Sequence, residues 1–339
     1  MKCIDKIVFL TAVCIVLSYS AVAQTSKTKD LSPSWYKRFA GKIGTETGII
    51  HIQKSYKNAV IAIHTPTYQL SFEDTELTFS SDKIEAEKKD NEKKESKVFR
   101  GIIKEDKLTG NLVLPSNTVL VLDLQENYTD AAKVKLYEYS YADKGNFETV
   151  LGSVKYYYHY GLLAIPEYNI ANFEKKITGT DIGKRFYEGL KGEIKNLEKG
   201  QFLTSESSEQ VYYNQNDILI VANRYYTYEG GAHGMYGCTY LHHDLQKNKE
   251  ITLEDVFIKD YQKILTPLLL KKSKELNIPL LSDTIEPTEN FLLSSKTITF
   301  VYQPYEIASY ADGIIEIEIP YQEIKEILKP NSFLDRVRK

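Results

Sequence analysis

Cysteine is scarce in these 339 residues: three are present, Cys3, Cys14 and Cys238. The first two fall in an N-terminal segment that reads as a removable leader, so the chain left behind holds one cysteine and cannot form an intramolecular disulfide. Its stability must come from an ordinary core. Grouped positive charge is missing as well. The formal net charge is −3, and losing Lys2, Lys6 and Asp5 with the leader makes it slightly more acidic. Nucleic-acid binding rests on neutralising phosphates with clustered Lys and Arg, so no nucleic-acid partner is expected. The apolar run from Ile7 to Leu17 falls well short of the roughly 20 residues a spanning helix needs. No P-loop, dinucleotide fingerprint or nucleophile elbow occurs, and no cofactor is expected.

What is present begins with that short run. Lys2 and Lys6 precede it, and Ala21-Val22-Ala23 follows it before Gln24, which is the order of a charged region, a hydrophobic region and an A-x-A cleavage site. Residues 1–23 therefore read as a secretory signal peptide cleaved after Ala23. Val13, and not a small residue, precedes Cys14, which argues against lipidation. The remaining chain is expected to be periplasmic or secreted, with no spanning helix, and is long enough for one large domain or two to three modest ones.

Tyrosine is abundant, with 26 in the chain, and it suits half-buried pleated surfaces. Short β-type runs bounded by turn residues recur at Gly48 to Gln53, Ala59 to His64, Tyr68 to Phe72 and Leu77 to Ser80, and again at Val98 to Lys104, Leu108 to Leu114 and Thr118 to Leu124. This spacing predicts an antiparallel β-meander domain over residues 36–125. The charged stretch Lys83 to Lys97 reads as a solvated loop or frayed helix within it. A second domain is predicted over residues 126–332. It opens on a long strand, Ala132 to Tyr141, followed by a helix in which Ile182, Phe186, Leu190, Ile194 and Leu197 recur at three- and four-residue spacing. Strands at Ile218 to Tyr228, Met235 to Leu245, Thr297 to Gln303 and Gly313 to Ile319 follow, with a capping-box start at Thr252-Leu253-Glu254-Asp255. Pro267 either kinks the helix after it or opens a new one, and a last short helix is expected at Tyr321 to Leu328. The predicted class is α+β: a meander, then helices packed on an antiparallel sheet.

Two strings stand out, Glu229-Gly230-Gly231-Ala232-His233-Gly234 and Phe300-Val301-Tyr302-Gln303-Pro304-Tyr305-Glu306-Ile307-Ala308-Ser309-Tyr310-Ala311-Asp312-Gly313. With Ile251 to Phe257 and the closing Ile319-Pro320-Tyr321, they resemble the extracytoplasmic domain of RsiV-type anti-sigma factors, from about Asn127 to Leu328. A related domain precedes the catalytic part of some peptidoglycan deacetylases. Its C-terminal half is catalogued as a domain of unknown function, of the 3298 type, with a 4163-like region before it. The resemblance implies a cell-envelope binding module, because the anti-sigma factors bind lysozyme with this domain. Neither their sigma-binding segment nor the deacetylase catalytic domain is recognisable here, so binding alone is expected.

Within those strings, Gly230, Gly231, Gly234 and Gly313 are candidate turn formers that permit positive φ. His233, Tyr302, Tyr305 and Tyr310 are the candidate ligand-binding residues. His233 is either a turn residue bonded to backbone or a group facing the ligand, and the tyrosines either bind or plug the end of the sheet. His233, His242, His243 and Asp244 have metal-ligand chemistry, but His242 and His243 point to opposite faces of a strand, so no metal is expected. Cys238 lacks the context of a catalytic cysteine. The carboxylates Glu306 and Asp312, or Glu316 and Glu318, could run glycoside hydrolysis, although Glu316 and Glu318 are more simply the solvent side of Ile315-Ile317-Ile319. The leading expectation is an exported non-enzymatic binding protein whose partner is a protein or cell-wall ligand, with lysozyme or peptidoglycan in view. A metal- or carboxylate-dependent wall hydrolase and an accessory structural subunit of an envelope complex are the alternatives.

Overall fold

The computed structural model describes residues 29–30, 34–55, 59–73, 77–90, 95–149, 152–164, 188, 204–330 and 332–338. The signal-peptide segment lies outside them, as does the predicted helix from Ile182 to Leu197 except for Glu188, which is helical.

A two-residue strand, β1 (Lys29–Asp30), joins a sheet formed later in the chain. Nine strands then follow as an antiparallel meander: β2 (Trp35–Ile43), β3 (Glu46–Lys54), β4 (Ala59–His64), β5 (Gln69–Glu73), β6 (Leu77–Ser80), β7 (Lys83–Asp90), β8 (Glu95–Lys104), β9 (Lys107–Val113) and β10 (Val119–Glu126). Their order is β5-β4-β3-β2-β10-β9-β8-β7-β6, so pairing of β2 with β10 turns the meander into a nearly closed barrel with its free edges at β5 and β6. Alternation decides which side chains go inside. In β4, Ala59, Ile61 and Ile63 are buried, and the two isoleucines join Phe39, Ile50, Phe72, Phe99 and Leu112 in one apolar core.

The charged stretch from Lys83 is not a loop or helix as expected. It is strand β7, paired with β6 and β8. Ile84 and Ala86 are buried while Lys83, Glu85, Glu87 and Lys88 face solvent, so two modest side chains at period two suffice to anchor it. Charges on such a strand near a sheet edge also discourage pairing with another chain.

The second sheet contains β11 (Lys135–Thr149), β12 (Gly152–Ala164), β13 (Thr204–Gln215), β14 (Ile218–Tyr228), β15 (Met235–Asp244) and β16 (Lys249–Glu250), in the order β1-β11-β12-β13-β14-β15-β16. All its pairs are antiparallel except β12 with β13. After the short helix α1 (Leu253–Val256), where Thr252 N–H donates to Asp255 Oδ2 at 3.3 Å, comes α2 (Gln262–Glu275). Pro267 stands inside α2, which continues through it. A third, antiparallel sheet holds β17 (Phe291–Leu293), β18 (Thr297–Tyr302) and β19 (Ile315–Pro320), and the four-residue helix α3 (Leu334–Val337) follows.

The α+β expectation is therefore corrected: the described chain is mostly antiparallel β, with a barrel-like sheet. Among the described residues, Glu188 aside, the α-helices are two of four residues and one of 14. The third sheet packs on the second, with Phe300, Ile298, Ile317 and Ile319 in one core with Ile218 and Ile220 of β14 and Leu265 and Leu269 of α2. The helix expected at Tyr321 to Leu328 is corrected too. Tyr321, Ile324 and Ile327 are buried at a spacing of three, and the amides of Ile324 and Ile327 donate to carbonyls three residues back. That period belongs to tight 3₁₀-type turns, of which Tyr321–Glu323 is one.

The outer face of the barrel at β2 and β3 is also buried. It docks on β13 and the segment after β10, where Ala132, Val134, Leu136, Val211, Leu219 and Val221 form a third apolar cluster with Tyr36. Both amide atoms of Gln53 are used there: Nε2 donates to Glu209 O at 2.7 Å and Oε1 accepts from Val211 N at 2.9 Å.

Candidate functional site

The two strings singled out in the sequence meet in space. β14 and β15 pair with Tyr226 opposite Tyr236, and the chain between them turns through Gly230 (φ 107°) and Gly231 (φ 97°). His233 leaves this turn stacked on Tyr310, with ring centroids 3.8 Å apart and planes 21° from parallel. Tyr236 meets the same tyrosine edge-on at 5.5 Å, and Tyr305 lies beside it at 5.6 Å. The Tyr310 hydroxyl donates to Gly234 O at 2.7 Å, and His233 Nδ1 lies 3.1 Å from that carbonyl. Gly234 itself lies against the Tyr226 ring, so close that a Cβ there would fall 2.5 Å from it.

The loop that carries Tyr305 and Tyr310 is shaped by its own carboxylates. Glu306 Oε2 accepts from Gln303 N at 2.8 Å, and Asp312 Oδ2 accepts from the Ser309 hydroxyl at 2.6 Å and its N–H at 3.1 Å. Gly313 (φ 73°) then turns the chain into β19. Tyr305 has φ 71°, a conformation disfavoured for any residue with a Cβ, and half of its surface is exposed, at 51%. A bulky ring held in strained backbone at a surface is a pointer to function.

Tyr302 takes no part in this surface. It is buried among the core residues of the third sheet, and its hydroxyl donates to Glu286 O at 2.8 Å. Two amide side chains missed by sequence reasoning fasten that sheet to the edge of β15. Asn290 accepts from Tyr240 N and donates to Cys238 O and Val301 O at 2.8–3.0 Å. Gln303 accepts from Cys238 N at 2.9 Å and donates to Cys238 O at 2.8 Å. They replace a strand partner for β15, and nothing in their local sequence signals it. Tyr236 was also missed, although it lies two residues beyond Gly234, at the start of β15.

The remaining candidate groups are occupied structurally. His242 is buried and stacked on Phe291 at 4.5 Å, and burial holds its imidazole down at about 3. His243 lies 3.3 Å from Asn248 Oδ1, and burial lowers its pKa as well. Asp244 pairs with Arg336 and accepts from the backbone of Gln246 and Lys247. Cys238 is a free, buried thiol whose ionisation burial pushes up. Burial also raises Glu316, helped by Glu318 and opposed by Arg224. Among the described residues, no group of three or more His, Cys, Asp or Glu side chains is placed to hold a metal ion, and no helix is long and apolar enough to cross a membrane.

This architecture defines a β-rich protein with an aromatic corner between two fastened sheets. Within it, residues 254–322 match the family described as "Protein of unknown function (DUF3298)", so the chain carries a DUF3298 domain that includes the Tyr305 and Tyr310 loop. The chain is similar to a crystal structure of a DUF3298 family member from Bacteroides fragilis, at 22% identity over 62% of this chain and 99% of that one, with a TM-score of 0.48. It is similar also to a DUF3298 family protein from Pseudomonas aeruginosa, at 18% identity over 60% of this chain and 98% of that one, with a TM-score of 0.46. No curated protein matches the sequence.

Proposed function

We propose that this protein is an exported, non-enzymatic binding protein of the cell envelope that takes a wall glycan, or a wall-active protein such as lysozyme, at the His233–Tyr310 corner. The carrying observation is the meeting of four rings, His233, Tyr236, Tyr305 and Tyr310, around a strained and exposed Tyr305. Exposed aromatic faces stack on sugar rings and anchor protein interfaces with little entropy to lose. The resemblance of the second half to the lysozyme-binding domain of RsiV-type anti-sigma factors supports that choice of partners. In this reading residues 1–23 are the export signal, residues 36–125 form a barrel domain, and residues 126–332 form the binding domain.

Calorimetric titration of the purified protein with lysozyme and, separately, with soluble peptidoglycan fragments tests the proposal. Binding of either, weakened by Tyr305→Ala and Tyr310→Ala in folded protein and unchanged by Lys88→Ala on β7, is the expected result. No binding of either ligand by folded wild type would remove both. Affinity for a basic muramidase should fall as salt rises, since attraction to a mildly acidic protein is screened over about 8 Å at physiological ionic strength; affinity for a neutral glycan should not.

A further inference from the structure

The junction between the barrel and the second sheet combines the small apolar cluster around Tyr36 with a group of buried polar side chains. On the outer face of β3 and β4, His51 and His64 pack edge to face with centroids 5.4 Å apart, and His64 meets Tyr213 of β13 at 6.4 Å. His51 Nδ1 shares a 2.6 Å hydrogen bond with the Tyr36 hydroxyl, which accepts from Asn214 Nδ2 at 3.1 Å. The Nε2 atoms of both histidines are buried with no hydrogen-bond partner among the described residues. An unpartnered buried ring nitrogen is tolerable while the ring is neutral and costly once it carries charge.

Among the described residues, no carboxylate is hydrogen-bonded to either ring. Among the described residues, Arg38 of β2 is the charged group that acts on His51, and the rings of Tyr36 and Tyr213 lie against the pair; Tyr128 acts on Tyr36, Glu126 on Tyr128 and Asp130 on Tyr213. Arg38 is buried and would repel a second cation. Asp130 is engaged by Arg38 at 2.8 Å and Glu126 by Lys37 at 2.5 Å. Burial keeps His64 down at about 4, and burial with the charges of His64 and Arg38 keeps His51 well below the ordinary imidazole range. The apolar cluster at the junction is smaller than the barrel core, so the contact between the sheets is the easier of the two to open.

We propose that the His51–His64 junction is an acid-operated hinge: protonation of these rings parts β3 and β4 from β13 while the barrel itself stays folded. The sign follows from linkage. The folded protein holds both imidazoles neutral, whereas once exposed they bind protons near the ordinary value of 6.5. The junction is therefore intact above about pH 6.5 and is lost as pH falls towards about 4. His51 and His64 alternate along β3 and β4 with Ile50, Ile52 and Ile63, which face the barrel core, so both rings lie on the opposite face from that core.

Small-angle scattering of the purified protein from pH 7.5 to 4, followed together with fluorescence of its single tryptophan, tests the hinge. Trp35 packs on the barrel core against Phe79 at 6.1 Å and reports on the barrel. The expected result is a reversible rise in radius of gyration with unchanged Trp35 emission. His64→Phe, which cannot be protonated, should move the midpoint down by about half a pH unit or more. His242→Phe, which removes a buried histidine away from the junction, should leave the midpoint where it is. Absence of expansion, expansion that coincides with the Trp35 change, or a folded His64→Phe protein with an unmoved midpoint would each overturn the proposal. Should His64→Phe not fold, a His242→Phe midpoint moved down from wild type by about half a pH unit or more would overturn it, and an unmoved midpoint in that variant, with steady Trp35 emission, would support it.

Discussion

Tyr302 and Tyr305 are three residues apart and do opposite jobs. Tyr302 is buried with its hydroxyl bonded to Glu286 O, so Tyr302→Phe leaves that carbonyl short of a donor. It should cost about 1 kcal/mol of stability in urea denaturation with no change in ligand affinity. Tyr305 is half exposed and sits at φ 71°. Tyr305→Ala should weaken binding by about 1 kcal/mol or more. Because alanine keeps the left-handed strain and glycine does not, Tyr305→Gly should be more stable than Tyr305→Ala by about 1 kcal/mol. Equal melting curves for the two variants would show that the backbone is not strained there. The sequence flagged both tyrosines because they share an aromatic-rich string; which ring faces the core depends on where β18 ends, and local composition does not encode that.

Elements were legible where their own side chains fix them. β14 is Ile218–Tyr228, the same residues that the sequence pattern marks as a strand, because five consecutive buried residues and a run of tyrosines leave no helical alternative. β7 was illegible because its burial rests on Ile84 and Ala86 alone, amid charge. The Tyr321 turn was illegible because a buried spacing of three resembles a helix over so short a span. The fastening of β15 is carried by amides from distant loops, which local pattern cannot show, and it yields a clear expectation. Asn290→Ala removes partners from Tyr240 N, Cys238 O and Val301 O, and should cost about 3 kcal/mol, measured by urea unfolding. In the barrel, Gly110 faces Gly101 across β8 and β9, and a Cβ on it would fall 1.9 Å from Arg100 O. Gly110→Ala should therefore cost several times the ~1 kcal/mol of an ordinary strand substitution, whereas Gly231→Ala, with open space around it, should cost only its backbone strain of about 1–2 kcal/mol.

At the scale of the whole molecule, the buried histidines give stability a definite dependence on pH. His242 is held down at about 3 and His64 at about 4, with His51 also well below its ordinary value, each chiefly by burial. The unfolded chain takes up protons at these rings near pH 6.5, while the folded chain does not, so stability is present above that value and falls as pH drops below it. Each such ring contributes a slope of about 1.4 kcal/mol per pH unit once the unfolded imidazole is charged. Glu289 and Glu316, raised by burial, act in the opposite sense but only near and above the ordinary carboxylate value. His242 isolates one share of the effect. It stacks on Phe291 with planes 12° from parallel, so phenylalanine keeps the ring contact and removes the titration. Urea midpoints for wild type and His242→Phe at fixed salt should differ little at pH 7.5 and diverge towards pH 5, with the variant the more stable. Parallel profiles would mean that the imidazole of His242 is charged inside the fold, and the burial that places it there would have to be redrawn.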